Sequence, residues 1–220
     1  MAIDRESLRV RLRAGADALQ LDLPDASLEK LLDYLALLHK WNAVYNLTAV
    51  RDPQQMLTQH LLDCMAALPA FAGASHVLDV GSGGGLPGIV IAIWAQHAEP
   101  AMRVEMIDTV SKKTAFLTQV KAELGLANVV VHTGRVERLR TADKFDVITS
   151  RAFAELSDFI DWSGHLLQEG GRMIALKGQS QQTDRENVPE GWKLLQKQPL
   201  QVPGMQAERH LVHVARTDNN

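Results

Sequence analysis

The chain has 220 residues, of which 46% are hydrophobic and 22% are charged, which is typical of a globular protein with a well-packed core. Proteins that bind nucleic acid mainly through non-specific phosphate contacts are usually basic overall, so with a formal net charge of −3 any such contact would need a local basic patch and recognition of shape. A single cysteine, Cys64, excludes a disulfide framework within the chain and is typical of a reducing compartment. No apolar run approaches the roughly 20 residues of a membrane-spanning helix, and the first 15 residues do not have the pattern of a signal peptide. We therefore expect a soluble, cytoplasmic protein.

Residues 1–73 are predicted to be helical throughout. A first apolar stripe has the three- and four-residue spacing of a helix, with Asp25 or Ser27 as its N-cap after Pro24. The stripe consists of Leu28, Leu31, Leu32, Leu35 and Leu38.

A second helix is predicted from Asp52, which can cap it. Pro53 suits the first helical position and Gln55 completes a capping-box arrangement. The apolar face of this helix is formed by Leu57, Leu61, Met65 and Leu68. The helix should end near Pro69 or Gly73.

From residue 76 onward, short apolar segments alternate with helical patterns. Ser111 is the expected cap of the second of these helices, Gly125 lies near its end, and a double glycine is expected to end the third helix. Strands are predicted at 76–80, 103–108, 128–132, 145–150 and 172–178, and helices at 88–98, 111–126 and 156–171. This alternation indicates right-handed crossovers and an α/β fold of the Rossmann-like type, with a mostly parallel, doubly wound sheet.

The C-terminal segments differ from this alternation. Two late strands, 192–202 and 209–216, flank a Pro203–Gly204 turn and are predicted to pair antiparallel at the sheet edge. The polar stretch 178–187 is predicted to be a loop. We divide the chain into an N-terminal helical extension, 1–73, packed on a Rossmann-like domain, 74–220.

The first strand leads into a glycine-rich loop, HVLDVGSGGGLPG, that can be interpreted in two ways. Gly81, Gly83 and Gly85 form a turn typical of methyl-donor sites, whereas Gly83, Gly85 and Gly88 spell the dinucleotide fingerprint. A tight turn without any ligand is a third possibility. The glycines alone do not separate these alternatives.

Two neighbours of the loop favour the first interpretation. Asp79 ends the strand two residues before Gly81, and a carboxylate there suits a positively charged ligand better than a pyrophosphate. Pro87 removes an N–H donor from the helix start, where a pyrophosphate would bind. S-adenosylmethionine carries an ammonium and a sulfonium, so Asp79 can accept from its amino-acid end, directly or through water. Gly88 is then a helix-packing glycine.

Two further positions are expected at the same edge of the sheet. Asp108 ends the second strand, where a carboxylate can accept from ribose hydroxyls, and the less favoured alternative is that it caps the next helix. Backbone N–H groups around Val136 and Glu137, after the third strand, could bind the adenine edge.

The set of motifs VLDVGSGGGLPG, MIDTVSKKTAFL, GRVER, FDVITSRAFAEL, LLQEGGRMIALKG and ERHLV resembles the RsmG (GidB) family of methyltransferases, and KWNAVYNLTAV and HLLDC extend the resemblance to the N-terminal part. It implies a methyltransferase that uses S-adenosylmethionine to methylate guanine N7 in small-subunit (16S) ribosomal RNA. It also implies that the cofactor site is lined by Gly81, Leu86, Val136, Glu137 and Arg151. Small departures from the family pattern, at Gly84, Cys64 and Ala207, touch none of the residues assigned to chemistry.

The implied reaction needs no general base, because guanine N7 has no proton to lose. We therefore assign no catalytic residue and expect alignment and proximity to carry the rate. His39 and His60 have no partners at metal-ligand spacing, so no metal site is expected. The expected partner is small-subunit ribosomal RNA or a ribosomal particle, bound by a monomer without contact to a membrane.

For RNA contacts we single out Lys177, Arg209 and His210, with Arg135 and Arg51 as weaker candidates. Each of these assignments competes with a structural alternative. Leu86 could pack in the core, Arg151 could be an ion-pair partner, Glu137 could pair with a flanking arginine, and Trp41 could pack between helices rather than stack on a base. A methyltransferase of a small molecule or protein, and a non-catalytic assembly factor that binds the cofactor or RNA, are the competing functions.

Overall fold

The computed structural model describes residues 4–153, 155–178 and 188–217 and has the Rossmann-like α/β architecture. The α-helices and strands are, in chain order, α1 Arg5–Ala18, α2 Asp25–Tyr45, α3 Pro53–Met56, α4 Asp63–Ala67, β1 His76–Val80, α5 Gly88–Ala98, β2 Arg103–Asp108, α6 Ser111–Glu123, β3 Val129–Thr133, β4 Phe145–Ser150, α7 Leu156–Ser163, β5 Leu167–Lys177, β6 Trp192–Leu200 and β7 Arg209–Arg216. In these described ranges no helix is both long and apolar enough to cross a membrane.

The seven strands form one sheet in the order β3-β2-β1-β4-β5-β7-β6. The first five strands of the chain are parallel to one another, and β7 is antiparallel to both β5 and β6. The predicted antiparallel pairing of the two late strands is therefore confirmed, with β7 inserted between β5 and β6. The strand order reverses at β1, so β1 and β4 flank the point where ligands of doubly wound sheets bind.

The N-terminal helices share one hydrophobic core with the helices that pack on the sheet. Buried side chains of the N-terminal part pack in the same cluster as those of α5 and α6, for example Leu31, Leu57, Ile89 and Phe116. The Tyr34 hydroxyl donates to the carbonyl of Gly84 at 2.6 Å and so ties α2 to the glycine loop.

The segment from Pro53 to Phe71 is one irregular helix. A six-residue π-helical stretch, Leu57–Leu62, joins α3 to α4, and a short 3₁₀ turn, Leu68–Phe71, follows. As predicted, Asp52 caps its start by accepting from Gln55 N at 2.9 Å, and the helix ends between Pro69 and Gly73.

Two predicted helix caps are wrong. The helix α2 begins directly after Pro24 without a side-chain cap, because Asp25 is its first residue and instead binds Arg13 on α1. The helix α6 begins at Ser111 itself, and the turn before it is held by Asp108, which accepts from Val110 N at 2.8 Å. Asp25 binds a side chain that is distant in the sequence, whereas Asp108 stabilises the start of α6, close to its helix-capping alternative.

The prediction of one helix over 156–171 is also wrong beyond residue 163. After a 3₁₀ turn at Gly164–Leu166 the chain enters β5 at Leu167, and the double glycine lies within that strand. Gly170 has φ +72°, and the pairing with β4 shifts register at this point. Hydrogen bonding with β4 thus makes 167–171 part of a strand, although the local pattern predicts a helix. The predicted loop 178–187 lies outside the described residues from 179 onward.

Candidate functional site

The glycine loop after β1 turns sharply at the carboxyl edge of the sheet. The amides of Gly81 and Ser82 donate to the carbonyl of Ile107 at 2.9 and 3.1 Å, which joins the loop to the end of β2. Gly81 has φ +68°, and a Cβ there would lie 3.0 Å from Cβ of Ala152. Because a side chain would narrow this gap, glycine keeps the backbone of the loop open to the space beside it.

That space is a cavity of about 380 Å³, which we name the glycine-loop cavity. Its wall includes Gly81, Asp108, Val136, Glu137 and Ala152. The ends of β1, β2 and β4 and the turn after β3 thus meet around one space, as the observed strand order requires.

Asp108 lies at the floor of the glycine-loop cavity with only 7% of its surface exposed. One carboxylate oxygen accepts from Gly83 N at 2.9 Å and the other from Val110 N at 2.8 Å, while Lys113 Nζ lies 3.6 Å away. Asp108 thus fixes both the loop and the start of α6. A carboxylate oxygen can accept more than one bond, so this carboxylate keeps acceptor capacity toward the cavity.

Asp79 is fully buried and does not line the glycine-loop cavity. Its Oδ2 accepts from Gly88 N, the first amide of α5, at 2.8 Å, and its Oδ1 has no hydrogen-bond partner within the described part of the chain. Burial raises the pKa of Asp79 to about 7. Asp79 therefore lies behind the loop, at the N-terminus of α5. The helix dipole there favours the ionised carboxylate, but the effect of burial on the pKa is larger.

The remaining loop residues pack into the protein rather than against the cavity. Leu86 is 6% exposed and belongs to the main hydrophobic cluster. A Cβ on Gly85, at φ +93°, would lie 2.5 Å from Ile89. A Cβ on Gly88 would lie 2.7 Å from Met106 of β2, which confirms Gly88 as a helix-packing glycine.

A second cavity of about 290 Å³ opens beside the first, and we name it the arginine cleft. Its wall includes Asp63, Arg151, Lys177, Arg209 and His210. Arg151, which was grouped with the cofactor residues, lies here together with three of the residues singled out for RNA. Because Ala152 lines the glycine-loop cavity, two consecutive residues after β4 line the two cavities.

Among the described residues, the wall of the arginine cleft carries three cations and one buried carboxylate. Asp63 accepts from Arg151 Nη1 at 3.2 Å and from Arg209 Nε at 3.1 Å. Lys177 donates to the carbonyl of Phe153 at 3.1 Å. Burial and the charge of Arg151 lower the pKa of His60 to about 4, so its imidazole in the cleft wall is neutral at physiological pH.

Sequence reasoning missed Asp63 and set His60 aside as isolated. Both lie on the irregular helix 53–71, whose residues gave only an amphipathic pattern. The available signal was the motif HLLDC, which contains both side chains but does not reveal their distant partners.

The weaker RNA candidates lie away from the arginine cleft. Arg135 is exposed, 3.8 Å from Glu137, and lines the glycine-loop cavity and an adjoining groove. Arg51 is exposed and donates to Asn46 Oδ1 at 3.2 Å. Trp41 packs against Phe116 with ring centroids 5.4 Å apart, as in the core-packing alternative. Nowhere in residues 4–153, 155–178 and 188–217 are three or more His, Cys, Asp or Glu side chains grouped to hold a metal ion.

A family model described as rRNA small subunit methyltransferase G (GidB) matches residues 27–212. The chain belongs to this family. A ribosomal RNA small subunit methyltransferase G from Herminiimonas arsenicoxydans is 66% identical over 215 residues, covering 98% of this chain and 99% of that protein. One of the same name from Janthinobacterium sp. (strain Marseille) is 63% identical over 216 residues and covers 98% of both chains.

Solved structures share the fold at low sequence identity. A SAM-dependent methyltransferase from Aquifex aeolicus gives a TM-score of 0.56 at 16% identity, covering 82% of this chain and 98% of that chain. TrmN from Thermus thermophilus gives a TM-score of 0.54 at 19% identity, covering 73% of this chain and 53% of that chain. The predicted Rossmann-like methyltransferase fold and the family resemblance are therefore confirmed.

Proposed function

We propose that this chain transfers a methyl group from S-adenosylmethionine to N7 of a specific guanine in small-subunit (16S) ribosomal RNA. The observation that carries the proposal is the pair of cavities on either side of Arg151 and Ala152. The wall of the first includes the turn at Gly81 and the carboxylate of Asp108, and the wall of the second includes three cations and the carboxylate of Asp63. A methyl donor in the first and an RNA guanine in the second would meet at this segment.

The chemistry of the residues around the glycine-loop cavity suits S-adenosylmethionine. Gly81 leaves room for a ligand against the backbone, Asp108 offers a carboxylate to ribose hydroxyls, and Val136 and Glu137 offer their backbone to the adenine. When bound, the cofactor supplies an electrophilic methyl group on a sulfonium. Asp79 lies behind the loop, and its ionised form would add a negative potential that suits a positively charged ligand.

The work of the protein residues is to position the base. Guanine N7 is an unprotonated acceptor, so no side chain has to remove a proton, and an in-line displacement needs the base held at the correct distance and angle. Lys177 and Arg209 can bind RNA phosphates, and neutral His60 forms part of the wall together with His210. The absence of an assigned general base is therefore consistent with the proposed reaction.

The arginine cleft favours RNA over a small molecule as the acceptor. A small-molecule site is mostly apolar and encloses its ligand, whereas this cleft carries Arg151, Lys177 and Arg209 on its wall. Concentration of cations at this edge would let a chain of net charge −3 bind RNA. We expect the protein to act in the cytoplasm, as a monomer on RNA or on a ribosomal particle.

The proposal is tested by deleting the gene and probing small-subunit RNA for N7-methylguanosine by borohydride-dependent strand cleavage. We expect one cleavage to disappear in the deletion strain and to return when the wild-type gene is restored. An unchanged cleavage pattern would refute the proposed substrate. Purified protein and S-adenosylmethionine should restore the cleavage on RNA or particles from the deletion strain, and failure on both would favour the non-catalytic alternative.

Cofactor binding is tested by calorimetry on Asp108→Ala. We expect S-adenosylmethionine to bind at least about tenfold more weakly, the effect of losing a hydrogen bond to a charged group. The matched control is Asp161→Ala, which removes an exposed aspartate on α7. If Asp108→Ala bound S-adenosylmethionine with wild-type affinity, the role of Asp108 would be limited to its hydrogen bonds with Gly83 N and Val110 N.

A further inference from the structure

Two consecutive apolar side chains are exposed at the carboxyl end of α2. Val44 is 68% exposed and Tyr45, the last residue of the helix, is 40% exposed. Among the described residues the other exposed pair of this kind is Leu194 and Leu195 on β6. Single exposed apolar side chains are common on protein surfaces, so the surroundings of Tyr45 decide whether it can bind a ligand.

The ring of Tyr45 is held by a row of aromatic side chains. Its centroid lies 5.0 Å from that of Trp41, one turn earlier on α2, and Trp41 in turn lies 5.4 Å from Phe116 of α6. Phe116 is fully buried in the main hydrophobic cluster. The row thus anchors the Tyr45 ring to the core while part of its surface stays exposed, so a ligand that binds there has little side-chain freedom to remove.

A cation lies beside the end of α2. Arg51 is exposed and donates to Oδ1 of Asn46, the residue that follows Tyr45, at 3.2 Å. This bond uses one terminal nitrogen, so other N–H groups of the guanidinium remain available to a phosphate. The neighbouring carboxylate of Asp52 accepts from Gln55 N at 2.9 Å and caps α3. An apolar ring and a cation are therefore presented side by side.

The loop after α2 connects this surface to the arginine cleft. Asn42 holds the loop, because it accepts from Thr48 N at 2.8 Å and donates to the carbonyl of Val50 at 3.0 Å. Thr48 Oγ1 lies 2.8 Å from Nε2 of His60, which lines the cleft. Tyr45 precedes Thr48 by three residues, a length of chain that spans at most about 11 Å. The exposed ring therefore lies close to the cleft, on its N-terminal side.

We propose that Val44, Tyr45 and Arg51 form a second contact surface for the RNA substrate, which we name the Tyr45 surface. An unpaired base stacks on the Tyr45 ring and Arg51 binds a phosphate of the same strand. This inference rests on the proposed function. Aromatic side chains flanked by cations are the usual means by which proteins hold single-stranded RNA.

The size and charge of the Tyr45 surface favour RNA over a protein as its occupant. A stable protein interface buries on the order of 800 Å² of each partner, which is more than two exposed side chains can supply. One ring and one cation match one nucleotide instead. Stacking also adds affinity without adding positive charge, which suits a chain of net charge −3.

The test is a series of substitutions at Tyr45. Tyr45→Ala and Tyr45→Leu remove the flat ring, whereas Tyr45→Phe and Tyr45→Trp keep one. The control is Leu195→Ala, which truncates an exposed apolar side chain on β6. For each protein the Kd is measured for unmethylated small-subunit RNA made by transcription in vitro and for particles from the deletion strain. Melting temperature and calorimetry of S-adenosylmethionine report on the fold and on the glycine-loop cavity.

We expect Tyr45→Ala and Tyr45→Leu to weaken binding of the RNA about fivefold to a hundredfold, the effect of losing one stacked base. Tyr45→Phe and Tyr45→Trp should stay within about threefold of wild type, because the stacking face is retained. Leu195→Ala should bind the RNA as the wild type does. The Kd for S-adenosylmethionine should be unchanged throughout, since Tyr45 does not line the glycine-loop cavity. Tyr45→Leu keeps an apolar side chain and provides the second variant should Tyr45→Ala unfold.

The salt dependence of RNA binding separates stacking from charge. Arg51→Gln should reduce the slope of log K against log salt concentration by about 0.7 to 0.9, the value for one phosphate contact. Tyr45→Ala should lower the affinity at every salt concentration without changing this slope, because stacking releases no counterions. A general disturbance of the cationic cleft would change the slope in both variants.

Wild-type RNA affinity in Tyr45→Ala and Tyr45→Leu, or an equal loss in Tyr45→Phe and Tyr45→Trp, would overturn the stacking role. It would also be overturned by a loss on particles with none on the RNA alone, which would indicate a protein partner, or by a dimer that Tyr45→Ala dissociates. Each of these results leaves methyl transfer by the wild-type protein, and so the proposed function, intact. Absence of methyl transfer by the wild-type protein would refute the proposed function, while the affinities would still report on the Tyr45 surface.

Discussion

Replacement of Asp79 by asparagine should stabilise the protein at alkaline pH. Asp79 is fully buried, with one oxygen accepting from Gly88 N and the other without a hydrogen-bond partner among the described residues. Burial raises its pKa from the ordinary value of 3.8 to about 7. The amide of asparagine has the same shape and can still accept from Gly88, but it carries no charge to bury.

The magnitude follows from the pKa difference. Between the two pKa values the folded protein holds a proton that the unfolded chain has lost, so the free energy of unfolding falls as the pH rises through this window. A difference of about 3 pKa units corresponds to on the order of 4 kcal/mol when the window has been crossed. About 2 kcal/mol of this should be lost between about pH 5.5 and about pH 8.

The assay is urea unfolding of the wild type and Asp79→Asn at both pH values. The difference between the two proteins cancels the titration of all other groups, and it should grow in favour of the variant by about 2 kcal/mol at the higher pH. A difference that stays constant with pH, or that shrinks, would refute the reasoning. Asp79 would then be ionised at no cost in the folded state.

Three further predictions concern the framework of the site. Glu105 lies between His132 and His76. Hydrogen bonds from these two histidines lower the pKa of Glu105 to about 2. This stabilisation is complete above the ordinary value of 4.5 and is lost as the pH falls toward 2. Glu105→Gln should therefore cost about 2–3 kcal/mol in urea unfolding at neutral pH, with a deficit that narrows in acid, and a pH-independent deficit would contradict this. Gly85→Ala should cost about 2 kcal/mol or more, because its φ is +93° and its Cβ would meet side chains of α5 and α6 within 2.8 Å. Gly84→Ala is the matched control, since its Cβ would meet only a leucine methyl at 3.1 Å, and equal losses in thermal denaturation would count against the packing argument. Tyr34→Phe removes the 2.6 Å bond to the carbonyl of Gly84 and should cost about 1–2 kcal/mol, so an unchanged melting temperature would show that the bond contributes nothing.

Local pattern was sufficient for most of the fold. The strands at 76–80, 103–108 and 145–150 have the predicted bounds, since a short apolar run between turn residues is a property of the segment itself. The predicted pairing of β6 with β7 was also correct. The local pattern of 167–171 predicts a helix. The stretch forms a strand instead because it pairs with β4, about twenty residues earlier in the chain, and the local pattern does not contain that contact.

The site was predicted less completely than the fold. The motifs identified the family, and the loop with its neighbours Asp79 and Pro87 favoured a methyl donor over a dinucleotide. The structure places two of these residues, Asp79 and Arg151, differently from the expectation. Asp79 binds the first amide of α5 behind the loop, and Arg151 lies in the arginine cleft rather than in the glycine-loop cavity.

The sequence by itself determined the order of strands and helices, the glycine turn at Gly81 and the family of the protein, because each depends on neighbouring residues or on a motif in one segment. Only the tertiary structure decided which cavity each charged side chain faces. Asp63 meets Arg151 and Arg209 across 88 and 146 residues, and no local pattern records a contact between such distant side chains. Folding brings them together because the π-helical turn and the ends of β4 and β7 meet at one edge of the sheet.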